Sequence, residues 1–149
     1  MSPDFLRYWP TLLRFEGGAT VTEHPADPGG LTKYGISQRA HPTLDIRALT
    51  EAEAQALYHR RYWTPAGCDA LAWPLNAAVF DTAVHSGVSK AQALLARTTD
   101  PGVYLDLREL FLRRLTEEKP TLAVFRRGWL NRLAALRRVL TSVPSVPNV

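Results

Sequence analysis

The chain has 149 residues, of which 46% are hydrophobic, 21% charged and 9% aromatic, and its formal net charge is +4. A chain of this size hides roughly 68–70% of the surface its unfolded form exposes, which predicts one globular domain and excludes disorder over the whole length. No apolar run approaches the roughly 20 residues of a bilayer-crossing helix, and Asp4 and Arg7 interrupt the first apolar stretch, so neither a membrane span nor a signal peptide is read.

Asp4 is placed to cap a first helix to about residue 15, in which Phe5, Tyr8, Trp9, Leu12 and Leu13 recur at helical spacing and Gly17-Gly18 ends the run. Glu16 therefore falls at the helix end. From Gly17 to about Thr43, glycines punctuate short polar and β-branched stretches, and Pro25 and Pro28 exclude a continuous helix. A loop or small irregular β-hairpin is predicted there, with residues 19–23 and 31–36 as its extended pieces.

Thr50 and Glu53 form a capping box that opens a helix over about 51–62. Pro74 opens another, ended by Gly87, and Ser89 followed by Gln92 starts a short one to about residue 97. Pro101 and a leucine-rich run give a helix to about Lys119, and after Pro120 the side chain of Thr121 is placed to cap a last one. Gly128 inside that helix costs about 1 kcal/mol relative to Ala, which predicts a close packing partner there. Residues 141–149, with Pro144 and Pro147, read as a flexible tail. The fold class is mainly α, one domain over 1–140, with a small irregular β element after the first helix.

Cys68 is single and the four histidines show no zinc-ligand spacing, so no metal is expected. Charge is uneven. Residues 1–96 carry 8 basic and 9 acidic groups, a balance of −1, whereas 97–149 carry 10 and 5, a balance of +5. A positive flank draws polyanions such as wall polymers, anionic lipid or nucleic acid. Arg126, Arg127, Arg132, Arg137 and Arg138 read as a solvated helix face or as a contact for anionic membrane lipid; no nucleic-acid motif accompanies them.

Chemistry concentrates in Glu16-Gly17-Gly18 and Asp27-Pro28-Gly29-Gly30-Leu31-Thr32-Lys33-Tyr34-Gly35-Ile36. Cleaving a glycosidic bond needs a proton donor for the leaving oxygen and, in most hydrolases, a second group that aims water or stabilises the cationic transition state. Glu16 and Asp27 are candidates for that pair, although a surface charge and a turn former account for the same two residues. Tyr34, Tyr62, Trp63 and Trp73 are candidate sugar-stacking faces, with Trp9, Trp73 and Trp129 assigned mainly to the core. Lys33 is read as a contact for substrate carboxylates or as a solvated lysine, and Asp81 as lining the cleft or bracing it. His85 has no nucleophile placed with it.

The Glu-Gly-Gly and Asp-Pro-Gly-Gly-x-Thr-Lys-Tyr-Gly-Ile-Ser blocks, followed by Leu-Thr-x-x-x-Ala, Tyr-x-x-x-Tyr-Trp, Cys68-Asp69 and Val79-Phe80-Asp81-Thr82-Ala83-Val84, resemble glycoside hydrolase family 108. These are N-acetylmuramidases that degrade peptidoglycan, many of them prophage endolysins. Gly128-Trp129-Leu130-Asn131-Arg132 is similar to a motif of their helical, peptidoglycan-binding C-terminal part. The resemblance implies a lysozyme-like fold with a catalytic part over 1–88 and a helical part over 89–140. It implies Glu16 as general acid and Asp27 and Thr32 as water- and sugar-orienting groups. Gly30, Lys33, Tyr34, Tyr62, Trp63 and Asp81 are the candidate substrate contacts, and no cofactor and a monomer are expected. Made in the cytoplasm without a signal peptide, the protein would reach the periplasmic cell wall through a holin or a secretion apparatus. A lytic transglycosylase and a non-catalytic wall-binding or secretion-accessory module are the competing readings.

Overall fold

The computed structural model describes residues 1–23 and 30–142. Helix α1 spans Pro3–Phe15 and is capped by Ser2, whose hydroxyl accepts from the Asp4 backbone N–H at 3.2 Å. Pro3 at the first position needs no N–H partner, so the helix begins one residue before the predicted Asp4 cap. The Asp4 carboxylate instead accepts from Asn76 Nδ2 at 2.8 Å. Phe5, Tyr8, Trp9 and Leu12 are the buried face of α1.

Three short strands follow as an antiparallel sheet in the order β1 (Thr22–Glu23), β2 (Leu31–Lys33) and β3 (Ile36–Ser37). The third strand was not predicted. Lys33 pairs with Ile36, which leaves Tyr34-Gly35 as a two-residue turn, and both of its residues have positive φ, 53° and 73°. That is the backbone a tight hairpin requires, and glycine supplies the second position at no steric cost. The predicted extended piece over 31–36 is thus two strands and their turn.

Helix α2 (Glu51–Tyr58) opens with the predicted capping box: the Thr50 hydroxyl accepts from the Glu53 N–H at 3.2 Å, and the Glu53 carboxylate accepts from the Thr50 N–H at 2.8 Å. It runs on into a π-helical turn, His59–Trp63. The wider turn brings residues five apart onto one face, and so Tyr58 and Trp63 both point into the core. Helix α3 (Leu75–Ser86) is buried along most of its length and is the central element of the fold. Phe80 from α3, Phe5 from α1 and Trp63 meet with ring centroids 5.3–5.5 Å apart. Trp9 Nε1 donates to Glu51 Oε1 at 2.8 Å and ties α1 to α2.

Helices α4 (Val88–Leu95), α5 (Pro101–Glu118) and α6 (Arg126–Thr141) complete the molecule, which is the mainly α, lysozyme-like architecture expected. Gly87 rather than Ser89 precedes α4, and Asp100 caps α5 by accepting from the Val103 N–H at 2.8 Å. Pro120–Phe125 forms a 3-10 turn, so α6 starts at Arg126 and Thr121 caps nothing. No atom would crowd a side chain at Gly128, contrary to the close packing predicted for it. Of the predicted tail, Thr141 still belongs to α6, and 143–149 lie outside the described residues. Among the described residues, no helix is long and apolar enough to cross a membrane, and no cluster of three His, Cys, Asp or Glu side chains is placed to hold a metal ion.

Replacing Thr50 with Ala removes one half of the capping box and is expected to cost about 1 kcal/mol, read as a lower urea midpoint at unchanged slope.

Candidate active site

Glu16 is the residue on which three elements converge. Its N–H closes α1 on the Leu12 carbonyl at 3.0 Å, and the chain then turns through Gly17 and Gly18, whose φ values of 89° and 66° let it leave the helix sharply. The hairpin turn docks on this corner: the Tyr34 N–H donates to the Gly18 carbonyl at 2.9 Å. From α2, the Tyr58 hydroxyl donates to the Tyr34 carbonyl at 2.8 Å and fixes the turn from the other side. Gly35 is left against the carboxylate so closely that a β-carbon there would lie 2.8 Å from Glu16 Cβ and 2.9 Å from Oε2, and would collide with the Tyr58 hydroxyl. Burial, the Glu16 charge and Tyr62 push the Tyr58 phenol well above its ordinary range, so it remains a hydrogen-bond donor at every working pH.

On its other side Glu16 meets α6. Arg132 Nη1 donates to Glu16 Oε1 at 2.8 Å, while Nη2 and Nε donate to Asp81 Oδ1 and Oδ2 at 3.0 and 3.3 Å. Asp81, on α3, has no exposed surface, and it also accepts from Arg108 Nη1 of α5 at 2.7 Å and from the Tyr8 hydroxyl of α1 at 2.8 Å. Burial alone would raise the Asp81 carboxyl, but the two guanidinium groups and their hydrogen bonds hold it well below the usual carboxylate range. His85 accepts from Arg108 Nη2 through Nδ1 at 3.2 Å, since arginine only donates. Burial and the charges of Arg108 and Arg132 push this imidazole down to about 4, so it is neutral at pH 7.

Two grooves are lined by neighbours of this carboxylate. One, of about 400 Å³, runs along the hairpin and α2 and is lined by Gly35, Ser37, His41, Tyr58, Arg61 and Tyr62 among others. The second, of about 460 Å³, lies along α6 and is lined by Arg14, Phe15, His85, Gly128, Trp129, Asn131 and Arg132. A β-carbon built at Gly35, which lines the first groove, would lie 2.9 Å from Glu16 Oε2, and Arg132, which lines the second, holds Oε1. Glu16 thus has a neighbour in each groove, and 21% of its side chain is exposed. Such a carboxyl can exchange a proton with a bound ligand.

The profile of the family described as Glycosyl hydrolase 108 matches residues 9–87. The chain belongs to this family. It is accordingly a glycoside hydrolase. The structure of Brucella abortus SagA is similar to it in fold, with a TM-score of 0.72 at 24% identity, covering 95% of this chain and 98% of that one. No curated protein matches the chain.

Within this family 108 domain, the residues singled out from sequence divide. Glu16, Tyr34 and Tyr62 come together around the first groove: Tyr34 is almost buried and contributes its backbone, and Tyr62 lines the wall. Thr32 sits in the middle of β2, two residues before the turn that touches Glu16, and Gly30 precedes that strand. Lys33 donates to the Arg47 carbonyl at 3.0 Å. Asp27 lies outside the described residues. Two substrate contacts are corrected. Trp63 is wholly buried and donates from Nε1 to Asp69 Oδ1 at 2.7 Å, because the π-turn rotates it into the aromatic core. Asp81 has no path to a ligand and braces the site. Trp129, assigned mainly to the core from sequence, is only half-buried and lines the second groove, stacked on Phe125 at 5.8 Å. Arg132, grouped with a solvated or lipid-facing row, is paired inward, and Arg137 is paired with Asp106 at 2.9 Å. The signal for Arg132 and Trp129 was the Gly-Trp-Leu-Asn-Arg run, but helical periodicity cannot say which arginine of a basic face turns inward.

Gly35→Ala of this hydrolase is expected to lose about 1–3 kcal/mol of stability through overpacking and to lose activity with it, measured by thermal melting and wall-lysis rate. Stability is expected to fall as pH drops from about 6.5 to about 4, since over that window the unfolded state binds a proton at His85 that the folded state refuses. Asp81, whose folded carboxyl is depressed, adds a further loss below its ordinary value of about 3.9. Melting of His85→Asn across this range should show a flatter slope between the first two values.

Proposed function

We propose that the protein is a peptidoglycan hydrolase that cuts the β-1,4 bond between N-acetylmuramic acid and N-acetylglucosamine, with Glu16 as general acid. The observation that carries this reading is the part-exposed Glu16 carboxylate with a neighbour in each of two grooves, one oxygen held by Arg132 and the other beside the hairpin. A linear glycan laid along both grooves would present a glycosidic oxygen there. Glu16 gives its proton to that oxygen, the bond from the anomeric carbon to the oxygen breaks with its electrons leaving on the oxygen, and a water adds its hydroxyl to the anomeric carbon while the proton it sheds restores the carboxylic acid of Glu16 over the full cycle. Asp27 and Thr32 are assigned to orienting that water or stabilising the cation. Gly30, Tyr34 and Tyr62 are assigned to the sugar on the hairpin side.

Peptidoglycan fits the polar character of the grooves. The polymer carries lactyl and stem-peptide carboxylates, and Arg61 and Arg14 line the two grooves. Trp129 offers an aromatic face in the second, where pyranose C–H surfaces can pack. Family membership supports a catalytic part over 1–88, and the hydrogen bond from Arg132 to Glu16 favours a helical 89–140 part that shares the same site. Along α6, Arg126, Arg127 and Arg138, with exposed Val124 and Phe125 just before the helix, are the groups assigned to an anionic wall polymer or lipid surface on delivery to the cell wall.

Incubating the protein with isolated peptidoglycan is expected to release fragments with reducing muramic acid ends by mass spectrometry. Glu16→Gln, which keeps the shape and loses the proton, is expected to lower the rate by about 10²–10⁴-fold. Anhydro-muramic ends would instead make the protein a lytic transglycosylase, and binding without release would make it a wall-binding module.

A further inference from the structure

We infer that Arg132 is the positioning residue of the general acid, and that the buried Asp81–Arg108–Tyr8 cluster exists to hold its guanidinium still. The inference rests on Glu16 being the acid. Arg132 reaches Glu16 from α6, 116 residues along the chain, and all three of its donor nitrogens are committed: Nη1 to Glu16 and the Nη2/Nε edge to Asp81. The side chain is 11% exposed, and the guanidinium carbon lies 4.9 Å from the centre of the Phe15 ring. A free arginine wastes rotamer entropy in every contact it makes, whereas one clamped in a fork is already ordered before substrate arrives.

The clamp has a consequence for the acid. With Oε1 engaged, Oε2 is the oxygen available to carry and deliver the proton, and it faces the hairpin side. As the proton moves to the glycosidic oxygen, the electron pair of the O–H bond stays on Glu16 and the group becomes a carboxylate. The fixed cation 2.8 Å away stabilises that developing charge without reorganising. Charges in the cluster balance, Asp81 and Glu16 against Arg108 and Arg132. Deleting Arg132 still leaves Asp81 paired with Arg108 and Tyr8, so the core keeps a compensated carboxylate, whereas Glu16 has no other side-chain hydrogen-bond donor among the described residues. The cost should therefore appear in catalysis more than in folding.

The test is Arg132→Gln assayed beside Glu16→Gln on two substrates: soluble uncrosslinked glycan strands, and a muramyl oligosaccharide carrying a 2,4-dinitrophenyl leaving group, which departs without protonation. Arg132→Gln is expected to melt cooperatively, to lower kcat on the strands by about 10–100-fold at unchanged KM, and to lose far less on the activated substrate, in parallel with Glu16→Gln. Should Arg132→Gln fail to fold, Arg132→Lys, which keeps the charge and loses the fork, goes through the same comparison. An equal loss on both substrates, a loss confined to KM, or wild-type turnover on the strands overturns the inference. Wild-type turnover by Glu16→Gln on the strands overturns the acid assignment and this inference together. Loss in Glu16→Gln with wild-type behaviour in Arg132→Gln overturns this inference alone.

Discussion

A carboxylate without access to water is the constraint on which this structure turns. Asp81 sits on the central helix with no exposed surface, and burying such a charge is tolerated only when partners replace the lost hydration. Those partners come from three other helices: Tyr8 from α1, Arg108 from α5 and Arg132 from α6. An apolar residue at position 81 would pack α3 more cheaply, since a buried ion cluster often contributes little net stability. What the carboxylate adds is direction, because hydrogen bonds to its two oxygens allow only a narrow range of positions for the helices that supply them.

The same directionality passes outward to Glu16. Asp81 takes one edge of the Arg132 fork, and the remaining nitrogen is aimed at Glu16. Glu16 is meanwhile fixed from the opposite side by backbone: the glycine corner after α1, the Tyr34 N–H on Gly18, and Gly35 pressed against the carboxylate. One wall of the site is thus made of charges and the other of main chain. Neither wall leaves room for a larger residue at position 35, and the left-handed φ of Tyr34 shows the turn tolerating strain on a non-glycine residue to keep that approach.

Much of this was legible in the sequence, and what was not has a common cause. Helix periodicity, the Thr50–Glu53 box and the proline and glycine punctuation locate the six helices to within a few residues, because they are local signals. Glu16 at a helix end before Gly-Gly was readable for the same reason. The Tyr34-Gly35 turn was missed because tyrosine is a poor marker for positive φ, and the stretch 31–36 reads as one extended piece. Trp63 was a candidate sugar-stacking face on residue type alone, which cannot show that the chain switches to a π-turn that carries the indole inward. Asp81 was left open between lining and bracing, and Arg132 was grouped with its basic neighbours, because the pairing that defines them spans 51 residues and no local pattern distinguishes an arginine that turns into the core from its neighbours on a basic helix.

That long-range pairing ties the later helices to the Glu16 corner. The family profile ends at residue 87, which would suggest that the chemistry is complete in the first three helices and the hairpin. Yet without α5 and α6 the Asp81 carboxylate would keep only the Tyr8 hydroxyl, and a buried carboxylate with one neutral donor is a strongly destabilising element. Glu16 would lose Arg132 in the same step. The helices beyond the matched region are therefore tied to the Glu16 corner by electrostatic necessity: α3 can carry a buried charge only because α5 and α6 bring the cations, and α6, having brought one, is held where its side chain also reaches the carboxylate at the end of α1.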